Sequence, residues 1–84
     1  MPAPMTQIGE FIDSPDWTDG EKFIILWQFG LLSDFKEALS NAIKRADEGN
    51  LSRLEYGFPA EVRAFRAWAY GDLGRRLRDA GLEI

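Results

Sequence analysis

Neither cysteine nor histidine occurs among the 84 residues of this chain. Their absence excludes disulfides, thiol nucleophiles, His-Cys zinc sites and the side chain that most often moves protons near neutral pH. The fold has to rest on side-chain packing alone. Long apolar runs are also missing. The longest, from Phe23 to Leu32, is interrupted by Gln28 and Gly30 and falls short of the ~20 residues that span a bilayer. It belongs in a core or an interface, and no membrane association is expected. The start, MPAPMTQIGE, has neither the basic region nor the apolar stretch of a secretory signal. A reducing cytoplasm is therefore the expected setting.

What is present suffices for one hydrophobic core. Hydrophobic residues make up 45% of the chain and include Trp17, Trp27 and Trp68. The length allows one domain, with stability toward the lower end of about 5–15 kcal/mol. The net charge of −4 is unevenly spread. Residues 1–42 carry two lysines against seven acids; residues 43–84 carry eight basic side chains against seven acids. An acidic chain is a poor general ligand for phosphate backbones and is better matched to a basic protein surface.

Residues 1–5, with Pro2 and Pro4, read as a frayed end. Thr6 is placed to cap a short helix from Gln7 to about Asp13, with Ile8, Phe11 and Ile12 on one face, broken by Ser14-Pro15. Thr18 and Glu21 have capping-box spacing, and a helix is expected from Asp19 to Leu32. Its residues EKFIILWQFGLL are apolar around most of the circumference, so it is expected at the centre. The same residues would suit a buried strand; the capping box and the lack of a second strand to pair with favour helix. Ser33 and Asp34 open a helix to about Glu48, with Phe35, Leu39, Ala42, Ile43 and Ala46 on its buried face and Gly49 as a left-handed stop. Asn50 caps a single turn holding Leu51 and Leu54, closed by Gly57. Pro59 starts a helix to Tyr70 with Val62, Phe65, Trp68 and Ala69 as its buried stripe. Gly71 ends it, and Asp72 caps a last helix, Leu73 to about Asp79, before Gly81. The reading is an all-α, compact bundle of four or five short helices around the Phe23–Leu32 segment.

Candidate chemistry is sparse. Asp13, Asp16, Asp19 and Glu21 lack the alternate-position oxygen ligands and twelfth-position glutamate of a calcium loop; acids near helix starts offset the helix dipole. Neither a metal nor a cofactor is expected. No catalytic residues are assigned, since carboxylates without a cleft stay ordinary. Arg63, Arg66, Arg75, Arg76 and Arg78 form the one basic concentration. Beside Trp68 and Tyr70 they could contact nucleic acid, but a solvated face with heads paired to Glu61, Asp72 or Asp79 is the preferred reading. Trp17, Phe23, Trp27, Phe29 and Phe35 crowd around the central helix, and a strip of Ile24, Ile25, Leu26, Trp27 and Phe29 exceeds what few helices can cover. The residues expected to meet a partner are Asp13, Asp16, Trp17, Asp19, Trp27, Asp34 and Glu37.

The stretch ADEGNLSRLEYGFPAEVRAFRAWAYGDL, from Ala46 to Leu73, resembles a pattern in small proteins encoded by bacteriophages and prophages. The shared features are Ala46-Asp47, Asn50-Leu51, Leu54, Gly57-Phe58-Pro59 and Glu61-Val62 followed by an aromatic helix. They cover about a third of the chain. The resemblance implies a phage context, in which small acidic proteins block a host defence complex by occupying its surface, anti-CRISPR proteins among them. The expectation is a non-enzymatic inhibitor in the host cytoplasm, with a protein partner such as a nucleic-acid-binding defence complex lined with positive charge. The alternative is a structural component that self-associates as a homodimer through the central apolar helix.

Overall fold

A computed structural model of the protein describes residues 4–84. Those residues form six helices and no strands: α1 (Pro4–Asp13), α2 (Asp19–Gln28), α3 (Asp34–Arg45), α4 (Glu48–Gly57), α5 (Pro59–Tyr70) and α6 (Leu73–Asp79). The protein is all-α. None of the helices is long and apolar enough to cross a membrane. Met1, Pro2 and Ala3, part of the expected frayed end, lie outside the described residues; Pro4 and Met5 are helical. α1 starts at Pro4 rather than Gln7, because proline in a first turn forgoes an N–H that has no partner there. Thr6 therefore falls inside the helix and not at its cap.

The start of α2 follows the sequence closely. Thr18 accepts the Glu21 N–H at 3.1 Å, and Glu21 accepts the Thr18 N–H at 2.8 Å. Its end does not. The helix stops at Gln28, four residues short of Leu32, because Gly30 takes φ +68°. The Gly30 N–H then reaches the Trp27 carbonyl and the Leu31 N–H the Leu26 carbonyl, the paired bonds of a Schellman turn. The same device ends α6, where Gly81 at φ +104° sends its N–H to Arg78 and Leu82 sends its own to Leu77.

The expected left-handed stop at Gly49 is absent. α3 ends at Arg45, and Asp47 in extended backbone accepts the Asn50 N–H at 2.8 Å, which makes Asp47 and not Asn50 the cap of α4. Gly49 is helical, and the expected single turn is a ten-residue helix. This raises the helix count to six. α5 and α6 have the expected bounds. Asp72, however, has φ −108° and ψ 9°, outside the extended region a cap needs, and its carboxylate pairs with Arg75 and Arg76 instead.

The buried side chains form one contiguous core contributed by all six helices and the C-terminal turn, with Ile24, Ile25, Ile43, Val62, Leu73 and Leu77 almost wholly enclosed. α2 lies against α1 and α5, while α5 touches α2, α4 and α6, so the centre is shared between α2 and α5. The two helices meet at Gly20, where any Cβ would overlap the Ala60 carbonyl of α5. The buried stripe of α5 uses Ala64 where Ala69 was expected; Ala69 is exposed. Gln7 of α1 donates to the Gly81 carbonyl, joining the first helix to the final turn.

Candidate functional site

The acids expected to meet a partner fall into two groups flanking α2. Asp13 is the last residue of α1, Asp16 sits in the α1–α2 connection and Asp19 opens α2. Asp34 and Glu37 occupy the first turn of α3. All five are exposed, and none forms an ion pair among the described residues. Glu21 differs from them. Besides closing the capping box it pairs with Arg76 at 3.1 Å, which ties α2 to α6.

The tryptophans are more enclosed than a free anchor would be. Trp17 is half-buried, with its ring 5.6 Å from Phe11. Trp27 is half-buried, stacked on Phe65 at 5.7 Å and 19° and tilted against Phe23 at 5.8 Å. The strip expected to be bare on the central helix is largely covered: Ile24 and Ile25 have no accessible surface, and Leu26, Trp27 and Phe29 are half-buried against the core.

The exposed aromatics lie elsewhere: Tyr56, Tyr70 and, alone among the phenylalanines and tryptophans, Phe35. Phe35, expected in the buried stripe of α3, is 66% exposed, and Ala42 on the same expected stripe is exposed too. Only Leu39, Ser40 and Ile43 of α3 are buried. The Phe35 ring rests on Phe58, 6.0 Å away and tilted by 48°. Leu31, 39% exposed, precedes it by four residues, in the α2–α3 connection. The result is an apolar shoulder at the start of α3, bordered by the exposed carboxylates of Asp34 and Glu37. Composition pointed to an exposed aromatic strip, but helical periodicity alone assigned Phe35 to the core.

The arginines are mostly engaged within the molecule. Arg66 donates to Glu48 at 2.8 Å and to Glu55 at 3.2 Å, clamping α5 to α4, and Arg63 adds a 3.5 Å contact to Glu55. Hydrogen bonding from Arg66 holds the Glu48 carboxyl below its ordinary pKa, and the same bonds from Glu48 and Glu55 raise that of Arg66. Arg75 and Arg76 pair with Asp72 at 3.5 and 3.3 Å. The partners are Glu48, Glu55, Asp72 and Glu21; Glu61 and Asp79, expected in that role, take no part in an ion pair among the described residues. The side chain of Arg78 lies along Gly74.

No protein-family model, curated protein or solved structure matches this chain.

Proposed function

We propose that this protein is a non-catalytic binding domain that docks a basic protein surface onto the shoulder at the start of α3. The observation that carries the reading is Phe35: a large apolar ring, two-thirds exposed, seated on Phe58 and bordered by carboxylates that form no ion pair among the described residues. Exposed aromatics of this kind serve as anchors in interfaces, and a rim of one charge selects a partner of the other. The narrower reading is that of a phage-encoded inhibitor occupying the positively charged surface of a host nucleic-acid-handling defence complex. It rests on the resemblance of residues 46–73 and on the acidic first half of the chain.

The test is a pair of variants against a partner captured from bacterial lysate. Phe35→Ala should leave folding within about 0.5 kcal/mol of wild type, as substitutions at exposed positions do. It should weaken partner binding by about 2 kcal/mol, the cost of truncating an anchor. Tyr70→Ala, at a side chain 77% exposed but away from the shoulder acids in sequence, should leave binding unchanged. Equal retention of the partner by the Phe35 variant and wild type in calorimetry would overturn the reading.

A further inference from the structure

A cleft between the end of α2 and the middle of α3 deepens the basic-partner reading, and rests on it. Its walls are Trp27, Gly30, Leu32, Glu37, Ser40 and Asn41, and it holds about 90 Å³. Sites for drug-sized molecules run from about 300 to 1,000 Å³. This one has room for the head group of a single side chain.

Three features of separate origin favour the same occupant. The first is the C-terminal end of α2, whose dipole is negative and whose last turn contains no basic residue to complement it. The second is the Glu37 carboxylate, exposed and without an ion pair among the described residues; the neighbouring Ser40 hydroxyl donates to the Glu37 backbone carbonyl at 2.7 Å and leaves the carboxylate free. The third is the Trp27 indole. Its contacts with Phe65 and Phe23 fix its orientation, so that the aromatic wall is already in place before anything binds. Asn41 stands one helical turn beyond Glu37 and adds a polar side chain to the wall.

We propose that this cleft receives one arginine side chain of the basic partner. A guanidinium is planar and weakly hydrated, lies against aromatic surface and offers forked N–H donors to a carboxylate. A lysine ammonium matches the charge but not the shape, and is more costly to strip of water.

The experiment uses the full chain, labelled with nitrogen-15, and three probes: the N-acetyl methylamides of arginine, lysine and citrulline. Trp27→Phe assigns the Trp27 indole signal among those of Trp17 and Trp68. The Trp27 indole and Asn41 amide resonances should move saturably with the arginine probe, and not with the isosteric but neutral citrulline probe. Glu37→Gln should weaken the arginine response on the order of fivefold, and Asn41→Asp, which adds a second carboxylate, should strengthen it. Equal responses to arginine and citrulline, an unchanged response in Glu37→Gln, or a lysine response matching that of arginine would each overturn the assignment. No partner is needed for the titration, so its failure leaves docking through Phe35 standing. Failure of Phe35→Ala to release a partner, conversely, leaves the cleft to be decided by the titration.

Discussion

On the face of α5 that meets α2 and α4, charge and aromatic surface are directed inward: Arg66 is held by Glu48 and Glu55, and Phe65 lies flat against Trp27. At the start of α3 both are directed outward, with Phe35 two-thirds exposed and Asp34 and Glu37 without an ion pair among the described residues. The same residue types thus perform two tasks. Where helices meet on several sides, opposite charges close over the seam and rings stack. Where a helix contributes only Leu39, Ser40 and Ile43 to the core, its remaining side chains are left to the surroundings. The contrast separates the part of the sequence that holds the fold from the part that is available to a partner.

The largest test of the inward side is Gly20→Ala. The new Cβ would overlap the Ala60 carbonyl oxygen and stand 2.9 Å from its carbon, so α2 would have to lift off α5 at their closest approach. Backbone cannot yield as a flexible side chain does, and overpacking of this kind costs about 1–3 kcal/mol. In a domain of this size that lowers the melting temperature by about 4–8 °C per kcal/mol. Gly9→Ala is the control. Nothing lies within 4 Å of its added methyl group, and in a helix interior the change should stabilise by roughly 0.5–1 kcal/mol. Opposite shifts in calorimetry sharpen the comparison; equal ones would break the close packing of α2 on α5.

A smaller effect is expected at the α4–α5 clamp. Because Glu48 titrates below its ordinary value of 4.5 when folded, its contribution is present above the unfolded value and is lost as pH falls through the depressed folded one. Wild type should therefore lose stability on acidification in part through this group. Arg66→Met keeps the apolar stem, removes the cation and should flatten that share of the acid limb. Urea melts at pH 7 and in the acid limb measure it, and identical pH profiles for the two proteins would show that the clamp carries no net stability.

These contrasts explain which features were legible in the sequence. The capping box of Thr18 and Glu21, the Pro59 start, the bounds of α5 and α6 and the release at Gly81 are set by local backbone chemistry, and they stand as read. The stops were harder. Gly30 and Gly49 look alike in sequence, yet only Gly30 adopts positive φ, because Asp47 starts a new helix two residues before Gly49 and draws it inside. Periodicity gives α3 the correct phase, with Leu39 and Ile43 buried, but how far the core reaches toward Phe35 is set by packing between helices and not by the repeat along one of them. Likewise, of the acids expected to pair with the arginines, Asp72 does so over one helical turn, whereas Glu61 and Asp79 do not; the partners the sequence does not reveal, Glu48 and Glu21, lie 18 and 55 positions from Arg66 and Arg76.

The smallest effect on folding, and the most informative for binding, is expected at Asp13 and Asp16. Both are exposed and free of ion pairs among the described residues, and Asp16 contributes only its backbone N–H, to the Ser14 hydroxyl at 3.2 Å. Asp13 ends α1, where the helix dipole disfavours a negative charge and the last turn holds no basic residue. Replacing it by lysine should therefore raise stability slightly, by about 0.3–1 kcal/mol at low salt, with Asp16→Lys close to neutral. The two readouts of the double variant then move in opposite directions. If the acidic half of the chain steers a basic partner, the variant melts no lower than wild type yet associates more slowly, within a span of about 10–1,000-fold for electrostatic steering. Salt should erase the difference, since screening shortens the reach of these charges to about 8 Å at physiological ionic strength. Stopped-flow association at low and high salt decides it. A double variant that binds as fast as wild type at low salt would remove Asp13 and Asp16 from recognition and shift its weight toward the α3 shoulder with Asp34 and Glu37.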